Sequence, residues 1–135
     1  MAVQLSTAVR NARLDSIEST IGTSVILEIR TGTQPADCAT ASSGTLLAQM
    51  TLPSDWMAAA SGGTKAKSGT WQDASANNTG TAGYFRIFDS GGTVCGLQGS
   101  VTITGGGGDM TLDNTSIATG QTVTITSFTL TDANA

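Results

Sequence analysis

Few side chains in this sequence have chemical reach: two cysteines, Cys38 and Cys95, two tryptophans, Trp56 and Trp71, and ten acids set against six bases. There is no histidine. A serine or cysteine nucleophile would therefore lack the imidazole that accepts its proton in Ser-His-Asp and Cys-His sites. Zinc sites that use histidine are excluded with it, and two cysteines cannot supply four thiolates. One disulfide could join the pair, but they stand far apart in sequence. No basic start followed by an apolar run marks a signal peptide, so synthesis in a reducing cytoplasm is the expectation, and free thiols with it.

The acids are scattered. Asp55, Asp73 and Asp89 fall in separate loops, which gives no carboxylate pair for glycoside hydrolysis. Asp109 and Asp113 flank Met110–Leu112 and would share one face of a strand, a spacing that could offer oxygens to calcium but reads more simply as two solvated turn residues. Gly105–Gly108 looks like a phosphate cradle only in its glycines. No Lys-Ser or Lys-Thr follows, and Asp109 would repel a phosphate, so a turn or hinge is expected. Trp56 and Trp71 could plug a core, anchor a protein interface or stack on a sugar ring, with core and interface weighed equally above the sugar. No catalytic residue, cofactor or metal is expected.

The elements that would position these residues follow from composition. The chain has 135 residues, enough for one domain, and 39% are apolar while only 4% are aromatic. Abundant Thr, Val and Ile favour strands, and 17 glycines favour the turns between them. The fold class expected is mostly β, a single-domain β-sandwich of jelly-roll-like form with a short N-terminal helix. Charged residues make up 12% and the net charge is −4. A basic stripe for nucleic acid is missing, and no run approaches the roughly 18 apolar residues of a membrane span. Neither nucleic acid nor membrane is an expected partner. So neutral a surface fits a domain covered by neighbours.

The chain divides into a helical segment, 1–22, and a β-sandwich domain, 23–135. Ser6 can cap a helix that carries Leu14, Ile17 and Ile21 at helical spacing and stops at Gly22. Its charges oppose the macrodipole, with Arg10 and Arg13 early and Asp15 and Glu18 late, so it needs a partner surface. Period-two alternation from Val25 to Arg30 gives a strand, and Leu46–Leu52 gives a second. The stretch 58–80 reads as a long loop with a strand near Thr70–Gln72. In Gly83–Asp89 both faces carry apolar bulk, Phe85 and Ile87 on one and Tyr84, Arg86 and Phe88 on the other, which predicts a central strand. Ser90-Gly91-Gly92 turns it into a returning strand, Val94–Thr104, with Cys95, Leu97, Val101 and Ile103 on one parity. Gln121–Thr131 changes parity midway, which predicts a bulge near Thr126-Ser127. Leu27, Ile29, Phe85, Ile87, Leu97, Val101, Val123 and Ile125 are the predicted core.

Four stretches, Arg10-Asn11-Ala12-Arg13-Leu14-Asp15, Ile29-Arg30-Thr31-Gly32-Thr33-Gln34-Pro35, Leu52-Pro53-Ser54-Asp55-Trp56 and Gly80-Thr81-Ala82-Gly83-Tyr84-Phe85-Arg86-Ile87, resemble a family of small virion proteins encoded by tailed bacteriophages and prophages. The likeness runs along nearly the whole chain. It implies a non-enzymatic structural protein located in the virion and assembled in the host cytoplasm. The placement expected is a capsid decoration or cement protein beside the major capsid protein, working as a homo-oligomer such as a trimer. A tail or neck component, or a receptor- or glycan-binding module of the tail, is the alternative. The interface candidates are Arg10, Arg13, Leu14, Ile17, Trp56 and Trp71.

Overall fold

The computed structural model describes residues 3–134. Ser6 lies in extended backbone and its hydroxyl oxygen accepts from the Val9 N–H at 3.2 Å, so the expected cap is in place. Helix α1 runs Thr7–Ile21 and ends at Gly22, whose φ of 108° suits glycine. Ten strands follow among the described residues: β1 (Ile26–Thr31), β2 (Leu46–Thr51), β3 (Thr64–Ala66), β4 (Trp71–Asp73), β5 (Gly80–Phe88), β6 (Cys95–Ile103), β7 (Met110–Leu112), β8 (Ser116–Ile117), β9 (Val123–Ile125) and β10 (Thr129–Thr131). The domain is mostly β, as the composition implies.

The main sheet has the order β2-β1-β5-β6-β7, with β8 added beside the start of β5. Its pairs are antiparallel except β6–β7, which is parallel. Parallel neighbours normally need a long crossover. Here the chain doubles back through Gly105–Gly108. Gly105 and Gly107 take positive φ, and a Cβ on Gly106 or Gly108 would press into Thr102. The four glycines thus form a tight return rather than a flexible connector, fixed by the Gly108 N–H on Thr102 Oγ1 at 2.9 Å.

Two separate ribbons, β3–β10 and β4–β9, cover one face of this sheet. The second layer is therefore not the continuous sheet of a sandwich. The β4–β9 ribbon packs against both β2 and β7, and Asp73 Oδ2 accepts the Gln49 N–H at 3.0 Å to join β4 to β2. Two expectations are corrected. The stretch 58–80 holds β3 as well as β4, and the chain from Gln121 to Thr131 carries no bulge but breaks into β9 and β10, which pair with different strands. The break at Thr126–Phe128 lets Val123, Ile125 and Phe128 all reach the interior.

The core lies between the sheet and the ribbons. Leu27, Ile29, Phe85, Ile87, Val101, Val123 and Ile125 are buried as predicted, and Leu97 packs on the core partly buried. An aromatic row runs through it: Trp56 to Trp71 at 6.1 Å between ring centroids, Trp71 to Phe128 at 5.7 Å, and Phe128 edge-on to Phe85 at 5.4 Å. Both indole N–H groups find carbonyls, Trp56 on Gly22 at 2.9 Å and Trp71 on Ser68 at 3.1 Å.

Helix α1 is docked on this body. Leu14 is its buried residue, and the acids that oppose its macrodipole face Lys65 of β3. Lys65 Nζ lies 2.7 Å from Asp15 Oδ1, 2.9 Å from Glu18 Oε2 and 2.9 Å from the Ala58 carbonyl, with its side chain 2% exposed. Asp15 also accepts the Ala60 N–H, and Asn11 accepts that of Gly63. Asn134 joins in, since Leu5 N–H donates to its carbonyl at 2.8 Å. Deleting residues 2–21 would remove the buried Leu14 and strand the buried Lys65 charge without its carboxylates. That truncated chain is expected to lose its cooperative thermal transition in circular dichroism; a sharp transition at an undiminished midpoint would show that the helix is dispensable to the fold.

Candidate functional site

The six interface candidates separate once the chain is folded. Trp56 and Trp71 are fully buried inside the subunit, so they are core residues and face neither a partner nor a sugar. This corrects the interface reading, and its cause is the unforeseen pairing of β4 with β9, which sets Trp71 opposite Ile125. A glycan platform loses the residues that motivated it. Leu14 is likewise buried against the body. Arg13 Nε pairs with Asp132 Oδ2 of its own chain at 3.2 Å, although its side chain stays 54% exposed. Arg10 donates to the Asp132 carbonyl at 3.3 Å and to Thr7 Oγ1 at 3.2 Å, and its guanidinium fills the space a side chain on Gly63 would occupy. Both arginines are thus engaged within the subunit.

Ile17, half-buried, is the apolar candidate that still reaches the surface. It lines a groove of about 650 Å³ between α1 and the β5–β6 hairpin, together with Ile21, Val94 and Gly96. Gly96 is required there, because a Cβ would collide with the Ile21 side chain at 2.5 Å. The hairpin side is rigid. Asp89 Oδ1 accepts the N–H groups of Thr93 at 2.9 Å and Val94 at 3.2 Å. These two backbone bonds hold the Asp89 carboxyl below the usual carboxylate range. Val94 is 62% exposed at the rim. Sequence reading passed over Val94 because a single valine beside a glycine turn carries no periodic signal.

The opposite face of the sheet is covered by a polar flap, residues 32–44. Tyr84, Arg86 and Phe88 point to it from β5. Arg86 is 2% exposed, and its guanidinium is bound on every side. Nε and Nη2 both donate to Gln98 Oε1, at 3.0 and 2.9 Å, Nη1 donates to Ser42 Oγ at 3.1 Å, and Nη2 donates to the Asp37 carbonyl at 2.8 Å. Gln98 reaches the Pro35 carbonyl at 2.9 Å, and Tyr84 exchanges hydrogen bonds with Ser43. The flap leaves β1 at a register shift beside Gly83, where any side chain would strike the Gly32 carbonyl. This arrangement explains why β5 carries apolar and aromatic bulk on both faces.

Asp109 and Asp113 do not gather into a metal site. Asp109 Oδ2 accepts both the N–H and the Oγ–H of Ser100 at 2.9 Å, which ties β6 to the start of β7 and spends the carboxylate locally. Among the described residues no group of three or more Cys, Asp or Glu is placed to hold a metal ion. Among the same residues no helix is long and apolar enough to cross a membrane. Comparisons with protein-family models, with curated proteins and with solved structures return no match.

The flap hangs largely on Arg86. Arg86→Met keeps the apolar stem and removes every guanidinium bond, leaving Gln98 Oε1 and the Asp37 carbonyl without their donor. It is expected to cost about 2 kcal/mol of stability in urea unfolding and to open the flap to limited proteolysis between residues 36 and 42. Equal resistance to protease in both chains would show that the flap is held by other means.

Proposed function

We propose that this chain is a structural subunit of a bacteriophage virion, acting as a decoration or cement protein at contacts between major capsid subunits. The observation that carries the proposal is the groove rim. Val94 is largely exposed beside half-buried Ile17 and Ile21, and with Val3, Val9 and Ile103 it is one of the large apolar side chains standing out on a surface with few charges. Apolar side chains held outward on a rigid hairpin gain free energy when a neighbour covers them. The resemblance of four stretches to phage virion proteins supplies the setting.

The mechanism is mechanical. Contacts that exist only in the assembled particle stabilise that state by mass action. Repeating the domain around a homo-oligomer, such as a trimer, multiplies weak individual contacts into a strong one. A net charge of −4 with no basic stripe argues for protein partners rather than nucleic acid. Leu5 bonds to Asn134 and Arg13 to Asp132, so the two flanks of α1 are braced against the body.

Val94→Asp combined with Ile17→Asp places two charges on the rim without touching the buried core. Circular dichroism should show an intact fold, while co-sedimentation with particles lacking this protein should weaken by at least tenfold, equivalent to about 1.4 kcal/mol. Undiminished co-sedimentation would remove the groove from the contact surface. A copy number per particle far below that of the capsid protein would favour a tail or neck position over the head.

A further inference from the structure

Cys38 and Cys95, distant in sequence, meet on the flap side of the sheet. Asp37 takes Arg86 Nη2 on its carbonyl at 2.8 Å, which brings the neighbouring Cys38 down over β5. Cys95 reaches the same side through a register shift. Ile87 pairs with Leu97 but Phe88 pairs with Cys95, so Gly96 is skipped and Cys95 turns away from Leu97 toward the face of Phe88 and Arg86. Both thiols are half-buried and free; Cys38 is the neighbouring side chain that acts on Cys95, whose own thiol donates to the Leu97 carbonyl at 3.5 Å. Burial, and then the adjoining Cys38 thiol, push the Cys95 thiol up to about 11, so it keeps its proton at neutral pH.

We propose that Cys38 and Cys95 form a redox clasp, which a small-molecule disulfide such as oxidised glutathione closes into an intrachain disulfide that pins the flap to the start of β6. The inference stands on the subunit alone and does not depend on the virion reading. Cys38 makes the opening attack. Its sulfur bonds to one glutathione sulfur, the glutathione disulfide breaks, and the departing glutathione thiolate carries off the Cys38 proton. The Cys95 sulfur then attacks Cys38 Sγ in the mixed disulfide. That bond breaks in turn, and the second glutathione leaves with the Cys95 proton. Two protein thiols are oxidised and one glutathione disulfide is reduced to two thiols. In a reducing cytoplasm the clasp stays open. Outside the cell it closes, with the Cys95 thiol leaving the Leu97 carbonyl and the two sulfurs drawing in to about 2 Å.

Closure joins two points already held close. Arg86, Gln98 and Tyr84 fasten the flap at Asp37, Ser42, Pro35 and Ser43 in the reduced state. The bond then encloses β2 to β5 in one covalent loop, which restricts the unfolded chain far more than the folded one.

The test uses the full chain with oxidised glutathione at about pH 8, where thiol exchange proceeds, followed by alkylation and non-reducing mass spectrometry. The expected product is a monomer lighter by two hydrogens, with the Cys38 and Cys95 peptides linked. Its thermal midpoint should rise by roughly 10 °C and fall back on adding dithiothreitol. Cys95→Ser should stop at a glutathione adduct on Cys38, and Cys38→Ser should gain neither the bond nor the thermal shift. Stable glutathione adducts on both wild-type cysteines, interchain dimers as the main product, or two thiols still open to alkylation would each overturn the proposal.

Discussion

Lys65 carries its charge into the seam between α1 and the β3–β10 ribbon, and the way the helix sits depends on it. A buried ammonium costs several kcal/mol unless its partners replace water. Lys65 has three N–H donors and three partners for them: Asp15, Glu18 and the Ala58 carbonyl. The two acids belong to the last turns of a helix whose dipole disfavours them. Their position makes sense only as a socket for this cation. Once the helix is fixed, Gly22 meets the Trp56 indole, Asn11 meets Gly63, and Arg13 meets Asp132 at the far end of the chain. Helix, ribbon and chain end are thereby locked as one body.

The sheet faces that body with one side and the flap with the other, and the two sides obey different chemistry. The inner side is closed by apolar packing around the row of aromatic rings. The outer side is closed by hydrogen bonds around a buried guanidinium, with Glu28, Arg30 and Gln49 extending the polar network across β1 and β2. A buried polar face is stable only when every donor and acceptor is met, so it specifies one geometry more sharply than apolar contact does. That geometry holds the flap and brings the two thiols together.

Local signals made part of this readable from sequence. The helix announced itself through Ser6 and Gly22, and β5 through apolar bulk on both faces, because caps and side-chain parity act over a few residues. What sequence left hidden depends on partners far along the chain. Thr64-Lys65-Ala66 has no strand pattern, since its one buried side chain is a lysine, which composition assigns to the surface. The Gln121–Thr131 segment kept a continuous β pattern although its halves pair with different strands. Cys95 shared a parity with Leu97 on paper, and the skipped Gly96 reversed it. Trp56 and Trp71 could not be told from interface residues until β4 and β9 closed over them. The exposure of Val94 left no pattern at all.

The helix anchor can be tested through its titration. Burial pulls the Lys65 pKa down, but hydrogen bonds to Asp15 and Glu18 more than offset this and leave it above 10.5. Asp15 moves below 3.8, first through its Lys65 bond and then through the Ala60 N–H. A cation with a raised folded pKa adds stability below its unfolded value and loses it as pH climbs through the folded one. A carboxylate with a lowered pKa adds stability above its unfolded value and loses it as pH falls through the folded one. The measurement is thermal stability against pH for the wild-type chain and Lys65→Met, both with Cys38 and Cys95 replaced by serine to remove thiol titration. The wild-type chain should gain over Lys65→Met across the neutral range, with the gap closing above pH 10.5 and below pH 3.8. A gap that stays constant across the whole range, or no gap at all, would contradict the claim that this ammonium anchors the helix.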